Sequence, residues 1–451
     1  MAAPTTVPAY VPHGPPVTLV LTRPAAPVQP PAPTEAPSGG AGKLRRGSAE
    51  RCAVVVVTAA IALQPMLHPT GPKNTSPVDI LLVAAIFFAA VWAAGTHRKL
   101  RAPYFVPVAL YLVAGAASGL FSTLPGLSLS TLMTDILLFA WCLAVVNVLS
   151  SPRAMRLALA AWSWSGIFWA GILIVAWLGH ISFLEGLNPA DGNRVLFTFG
   201  DPNYAATYWD TAIFVVFASH TPAKRWMRFT GYGMLLWALA LTESNGGILA
   251  LGVGVAFLLL VRSYRRRGWV GFTASLVGGV LVLGTFFTLF PLSHIRQWAA
   301  HSNQSFLVNS IGRSAQSSSE RNLLVKETLG LYQQSSGVLG LGPASTKSLL
   351  TTQLFPYANE AHDDYLAALV ERGALGLFAL ILLVTSAVCR ASPLIRRPLS
   401  PQFAAAVPLP VGLVAGLLAL SVNSFYEEIQ HFRFMWALLG IIAVLGRDAR
   451  R

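Results

Sequence analysis

The chain is 451 residues long, 54% hydrophobic and only 11% charged, with a formal net charge of +14. Soluble domains carry about 25% charged residues, so this balance argues against a large water-soluble enzyme; the apolar content excludes disorder throughout, and the Gly and Cys counts exclude collagen-like and disulfide-rich secreted classes. The positive charge leaves two readings open, nucleic-acid binding or the cytoplasmic loops of a membrane protein.

Residues 1–42 contain 11 of the 30 prolines, from Pro4 to Pro37. They read as a disordered, partly polyproline cytoplasmic tail rather than a signal peptide. A basic cluster of Lys43, Arg45, Arg46 and Arg51 then precedes twelve apolar stretches, at 52–68, 78–95, 103–121, 131–149, 157–179, 203–219, 229–242, 246–261, 269–290, 374–389, 403–422 and 432–446. Open sheet leaves backbone groups unpaired in hydrocarbon, so these stretches are predicted helices. The expected fold is an all-α polytopic membrane protein of about 12 transmembrane helices, each needing roughly 20 apolar residues. Transmembrane helices 1–9 occupy 43–290, one large, partly helical extracytoplasmic loop occupies 291–373, and helices 10–12 occupy 374–446 before a basic tail at 447–451. Cys52, Cys142 and Cys389 lie in or beside apolar runs and form no CxxC pair.

With both ends cytoplasmic, every even-numbered loop is basic, as the positive-inside rule requires. Only nine of the 32 lysines and arginines then fall outside: Lys73, Arg194, Arg296, Arg313, Arg321, Lys326, Lys347, Arg372 and Arg433. Only three acids, Glu35, Glu50 and Asp448, fall inside. The net charge therefore reflects topology and not nucleic-acid binding.

A loop as long as 291–373 is usually functional. Ser317 and Glu320 fit a capping box, and Leu324, Thr328 and Leu331 follow at helical spacing. The stretch from Gly337 to Pro343 reads as a turn, and a second helix is expected from near Asn359 to Gly373, leading into span ten.

The exterior arginines invite explanation. Arg194 precedes Phe199-Gly200-Asp201-Pro202-Asn203, a tight turn in which Asp201 or Asn203 can cap span six. Its planar fork suits a phosphate, although interfacial snorkelling or pairing with Glu185 or Asp191 explains it equally well. Arg321, in the first turns of a helix, opposes the macrodipole; it pairs with Glu320 or Glu327, or faces an anion. Arg313 fits the same role or that of a solvated loop cation. His362, in Asn359-Glu-Ala-His362-Asp363-Asp364-Tyr365, is a candidate general base if it is neutral; a solvated loop histidine is the plainer reading. Asp210 lies two helical turns below Asn203, about 10 Å deeper, where a carboxylate normally faces a cavity or partner. Asp79 and Asp135 read as interfacial, and Glu243–Gly247 as a tight turn. No GxxxxGK[ST], HExxH or GxSxG motif is present, and no metal site is arguable.

The ordered set resembles the O-antigen ligase and Wzy-type polymerase superfamily. The resemblance runs from about Arg194 to Gly376. It is carried by the arginine before Gly200-Asp201-Pro202-Asn203, by Leu241–Gly247, by Glu320-Arg321 on an amphipathic helix and by Gly340-Leu-Gly342. Ala361–Tyr365 and Glu371-Arg-Gly373-Ala-Leu-Gly376 complete it. Two positions depart from the family pattern. Asn245 stands where arginine is usual, leaving one fewer cation for the donor, and Asp363 stands where asparagine is usual, which is expected to raise the pKa of His362.

The resemblance implies a glycosyltransferase on the outer face of the bacterial cytoplasmic membrane, without nucleotide, metal or other cofactor. The donor is a glycan on undecaprenyl diphosphate; the acceptor is a saccharide or glycolipid. The lipid bilayer and other polysaccharide-assembly proteins are the remaining partners. The implied roles are diphosphate binding by Arg194 and Arg321 and acceptor activation by His362, with inversion at the anomeric carbon. Asp201, Asn203, Arg313, Asp210 and Tyr365 form the expected substrate-binding set. Ligase and polymerase share these motifs, so the choice between them stays open. A lipid-linked oligosaccharide flippase or other twelve-helix transporter is the competing class; Asp210 favours it, while the lack of repeated halves opposes it.

Overall fold

The computed structural model describes residues 40–67, 76–188, 194–334, 338–355 and 360–451. The chain divides into Met1–Lys43 and Leu44–Arg451. Of the first unit only the start of a helix is described, so the proline-rich tail up to residue 39 lies outside the described residues, as do Lys73, Asp191, Gly337 and Asn359.

The helices start where capping chemistry allows. After α1 (Gly40–Ala62), α2 (Pro77–Thr96) opens on a capping box in which Asp79 accepts from the Ser76 backbone at 2.9 Å. Next come α3 (Phe105–Leu120), α4 (Pro125–Val148) and α5 (Pro152–Leu178), the last capped by Ser151. A short α6 (Ser182–Glu185) leads into a two-residue antiparallel hairpin, β1 (Leu187–Asn188) with β2 (Arg194–Val195). Asp201 caps α7 (Pro202–Ser219), which is buried along nearly its whole length among α5, α8 (Arg225–Leu241), α9 (Asn245–Leu289) and a later helix, α16 (Val411–Asn423). Gly247 permits the close approach of α9 to α7: a Cβ there would lie 2.6 Å from the Ala206 side chain.

Three short pieces follow α9, namely α10 (Leu292–Ala300), α11 (Ser305–Leu307) and a π turn (Val308–Gly312), and then come the longer α12 (Ser314–Gln334) and the short α13 (Thr346–Thr352). The chain finishes with α14 (Asp364–Arg396), α15 (Pro401–Ala406), α16, a 3-10 turn (Ile429–His431) and α17 (Arg433–Asp448). Among the described residues, α2, α4, α5, α9 and α14 are long and apolar enough to cross a membrane, and α3 and α16 are shorter apolar helices. From Gly279 onward α9 is exposed to its end, with Val280, Leu281 and Val282 each more than 60% accessible. A helix apolar all round with no protein against it fits a lipid environment.

Several boundaries differ from expectation. Spans eight and nine form one helix broken at Gly268, whose φ of 60° and ψ of −150° fall outside the helical region. Span eleven is interrupted between α15 and α16, where Pro408 and Pro410 lack backbone donors; Leu409 instead donates to the Ala218 carbonyl at the end of α7, at 3.1 Å. Within the long segment, α12 begins at Ser314, ahead of the expected Ser317 box, and α14 begins at Asp364 rather than near Asn359.

Candidate functional site

Four chain segments converge on one carboxylate. Glu427, in the turn after α16, has a side chain 1% exposed. One of its oxygens accepts from Asn203 Nδ2 at 2.6 Å and the other faces His362 Nδ1 at 2.8 Å. The Asn203 carbonyl oxygen in turn accepts from an Arg194 guanidinium nitrogen at 2.9 Å and from Ser244 Oγ at 2.7 Å. Arg194 Nε donates to the Thr242 carbonyl at 2.9 Å. The resulting chain runs Thr242–Arg194–Asn203–Glu427–His362 and joins the β2 strand, the start of α7, the α8–α9 turn and the segment before α14.

Local geometry sets each member. Asp201 accepts from the Asn203 backbone at 2.6 Å, so it is the cap and Asn203 is released for the network. Ser244 caps α9 through the Gly247 backbone while donating to Asn203. His362 has a left-handed φ of 48°, a costly conformation for a non-glycine residue. Its side chain is 17% exposed, so it is the accessible member of the pair, with Glu427 behind it. Nearby, Tyr204 donates to Glu360 at 3.1 Å, and the Arg321 guanidinium lies 4.8 Å from the Tyr426 ring centre.

Opposing effects act on the His362 imidazole. Burial opposes the imidazolium, but the charge and hydrogen bond of Glu427, with Asp201 and Glu360, push His362 up to about 9. Asp363 is not the residue responsible. It caps α14, accepting from the Tyr365 and Leu366 backbones at 2.8 and 2.9 Å. Burial raises Glu427 as well, against the lowering effect of His362 and Arg321.

Other expected residues fall elsewhere. Arg321 lies well inside α12 because that helix starts at Ser314, and it faces Tyr426 rather than forming an ion pair with Glu320 or Glu327. Arg313 donates to the Asn309 carbonyl of its own turn at 3.2 Å. Asp210 is 1% exposed within the packing of α7 and α16, where its oxygens accept no hydrogen bond among the described residues. Tyr365 stacks on Phe425 with ring centres 5.0 Å apart. Glu185 Oε1 likewise accepts no hydrogen bond among the described residues. Asn245, the departure from the family pattern, donates to the Ser310 carbonyl at 2.9 Å.

Asp79 and Asp135 are more than interfacial. Arg433 makes a two-pronged contact with Asp79 at 2.8 and 2.6 Å, and Arg372 reaches Asp135 at 2.6 Å. Two of the nine cations expected on the outer side, Arg372 and Arg433, are thereby explained as ion-paired helix links.

Residues 231–381 match the family model described as O-antigen ligase. That segment, about a third of the chain, is similar to the O-antigen ligase family. No curated protein matched the chain. The matched segment contains Ser244, Arg321 and His362, whereas Arg194, Asn203 and Glu427 lie outside it. Glu427 was missed in the sequence. The available signal was composition, because Glu427 and Glu428 are the only acids between Gly373 and Arg447, and carboxylates amid membrane segments are functional by default.

Proposed function

We propose that the chain is a metal-independent membrane glycosyltransferase moving a glycan from undecaprenyl diphosphate to a saccharide acceptor, with inversion. The observation that carries this reading is the coupling of His362 to Glu427 and Asn203, beside Arg321 and next to apolar helices. With the expected twelve spans and both ends cytoplasmic, this site lies at the outer membrane boundary; the apolar helices support that reading.

In this mechanism neutral His362 takes the acceptor hydroxyl proton. The hydroxyl oxygen attacks the anomeric carbon opposite the diphosphate, and the carbon–oxygen bond to the diphosphate breaks. The bonding pair leaves on the diphosphate, where Arg321 stabilises it. Glu427 stabilises the imidazolium that forms, much as a buried carboxylate serves a catalytic histidine elsewhere. Arg194 acts through Asn203, holding the pair in register. Purified Arg321→Ala with lipid-linked glycan is expected to lose about 100-fold or more in transfer, the scale of losing a charge-stabilising donor; retained activity contradicts the assignment. Gene deletion separates the two activities: shortened surface chains indicate a polymerase, and normal chains left on the carrier a ligase.

A further inference from the structure

We propose that Glu428 is a positioning residue for the transfer step, holding the backbone on which His362 stands; its consequence for the reaction rests on the transferase reading above. Glu427 and Glu428 are consecutive in the turn after α16, yet they serve different targets. Glu427 faces the His362 ring. Glu428 Oε1 accepts instead from the backbone nitrogen of Ala361, the residue before His362, at 3.0 Å. Ala361 and Glu428 are both buried, so withdrawing that oxygen leaves a buried donor without a partner.

The conformation of His362 explains why a hold is needed there. A residue with a Cβ enters the left-handed region at a cost, and a φ of 48° persists only where the surroundings over-determine it. Both flanks of His362 are tied to one turn. On the near side Ala361 donates to Glu428, and on the far side the Asp364 nitrogen donates to the Ser424 carbonyl at 2.9 Å. The Gln430 nitrogen returns a longer bond, 3.4 Å, to the Asp364 carboxylate. Without the near tie, the peptide leading into His362 is free to relax and the ring loses its register against Glu427. A displacement of about 1 Å is enough to slow a reaction about 100-fold.

The second oxygen of Glu428 supplies the competing role. It faces His431 Nε2 at 3.7 Å, within ion-pair range but longer than a hydrogen bond, and the His431 side chain is 38% exposed. Ion pairs open to solvent contribute little, whereas the bond to Ala361 is buried. The acceptor oxygen of Glu428, and not its charge, is accordingly what positions the base.

Two substitutions of similar shape separate these roles in the full-length protein in nanodiscs. Glu428→Gln keeps an oxygen for Ala361 and drops the charge; Glu428→Asp keeps the charge but is one methylene short. Glu428→Gln is expected to stay within about threefold of wild type in kcat, while Glu428→Asp loses about tenfold or more with the acceptor KM unchanged. In hydrogen exchange followed by mass spectrometry, peptides containing Ala361 are expected to exchange about tenfold faster in Glu428→Asp than in Glu428→Gln. Glu428→Asp equal to or better than Glu428→Gln in kcat or in protection, or a loss carried by KM, overturns the proposal. If Glu428→Asp fails to fold, Glu428→Met, which removes the acceptor at similar length, replaces it under the same expectations. The exchange result reads the backbone tie without any transfer, so it stands apart from the transferase reading, whose failure shows as transfer retained in His362→Ala.

Discussion

Glu427 serves two residues at once, accepting from Asn203 through one oxygen and facing His362 through the other. This raises His362 from 6.5 to about 9, so the base form predominates only above that pH. Transfer is expected to climb with pH, reach half its maximum near 9 and level off above that. Glu427→Gln removes the charge that raises His362, and the rising limb is expected to move toward the ordinary imidazole range; a pH–rate profile unchanged in the variant contradicts the pairing. The stability effect has the opposite direction. A raised imidazole pKa stabilises the folded protein fully below 6.5, and the contribution is lost as pH rises through about 9. His362 and Arg321 were legible in the sequence because each sits in a recognisable local pattern. Glu427 was not, since its partner is 65 residues away and no local spacing encodes that contact.

At the scale of elements, the Gly340-Leu-Gly342 and Glu371-Arg-Gly373 motifs form one joint. Leu341 and Gly342 donate to the Val370 and Glu371 carbonyls, both at 2.9 Å, and the Glu371 side chain accepts from Ala344 N at 2.7 Å and Thr346 Oγ1 at 2.8 Å. Gly373 has φ of 70° where α14 kinks, and Gly340 has φ of 75° with its backbone against Glu371, so both positions require glycine. Glu371→Ala leaves buried donors unpartnered and is expected to cost about 1–3 kcal/mol, seen as a lower unfolding temperature; an unchanged temperature refutes the joint. The sequence located these motifs but not their mutual contact, and it missed the α15–α16 break because an apolar stretch conceals the backbone cost of Pro408 and Pro410.

Across the whole molecule, two buried or half-buried ion pairs join distant helices: Asp135 on α4 with Arg372 on α14, and Asp79 on α2 with Arg433 on α17. Arg372 is 2% exposed, so Asp135→Ala strands its charge and is expected to destabilise by about 3–5 kcal/mol, while Asp135→Leu with Arg372→Met is milder; thermal unfolding in detergent compares the two, and equal losses contradict this account. The helical architecture was legible because apolar runs and basic loops repeat at membrane scale. The partners of Arg372 and Arg433 were not, because composition marks an unexpected charge without naming its counter-ion. The central claim is that the His362–Glu427 pair drives glycan transfer from a polyprenyl diphosphate. It is tested most directly by transfer assays with purified wild-type and His362→Ala proteins and lipid-linked glycan. The account predicts a loss of about 100-fold or more in the folded variant, the usual scale for a general base, whereas wild-type activity in His362→Ala contradicts it.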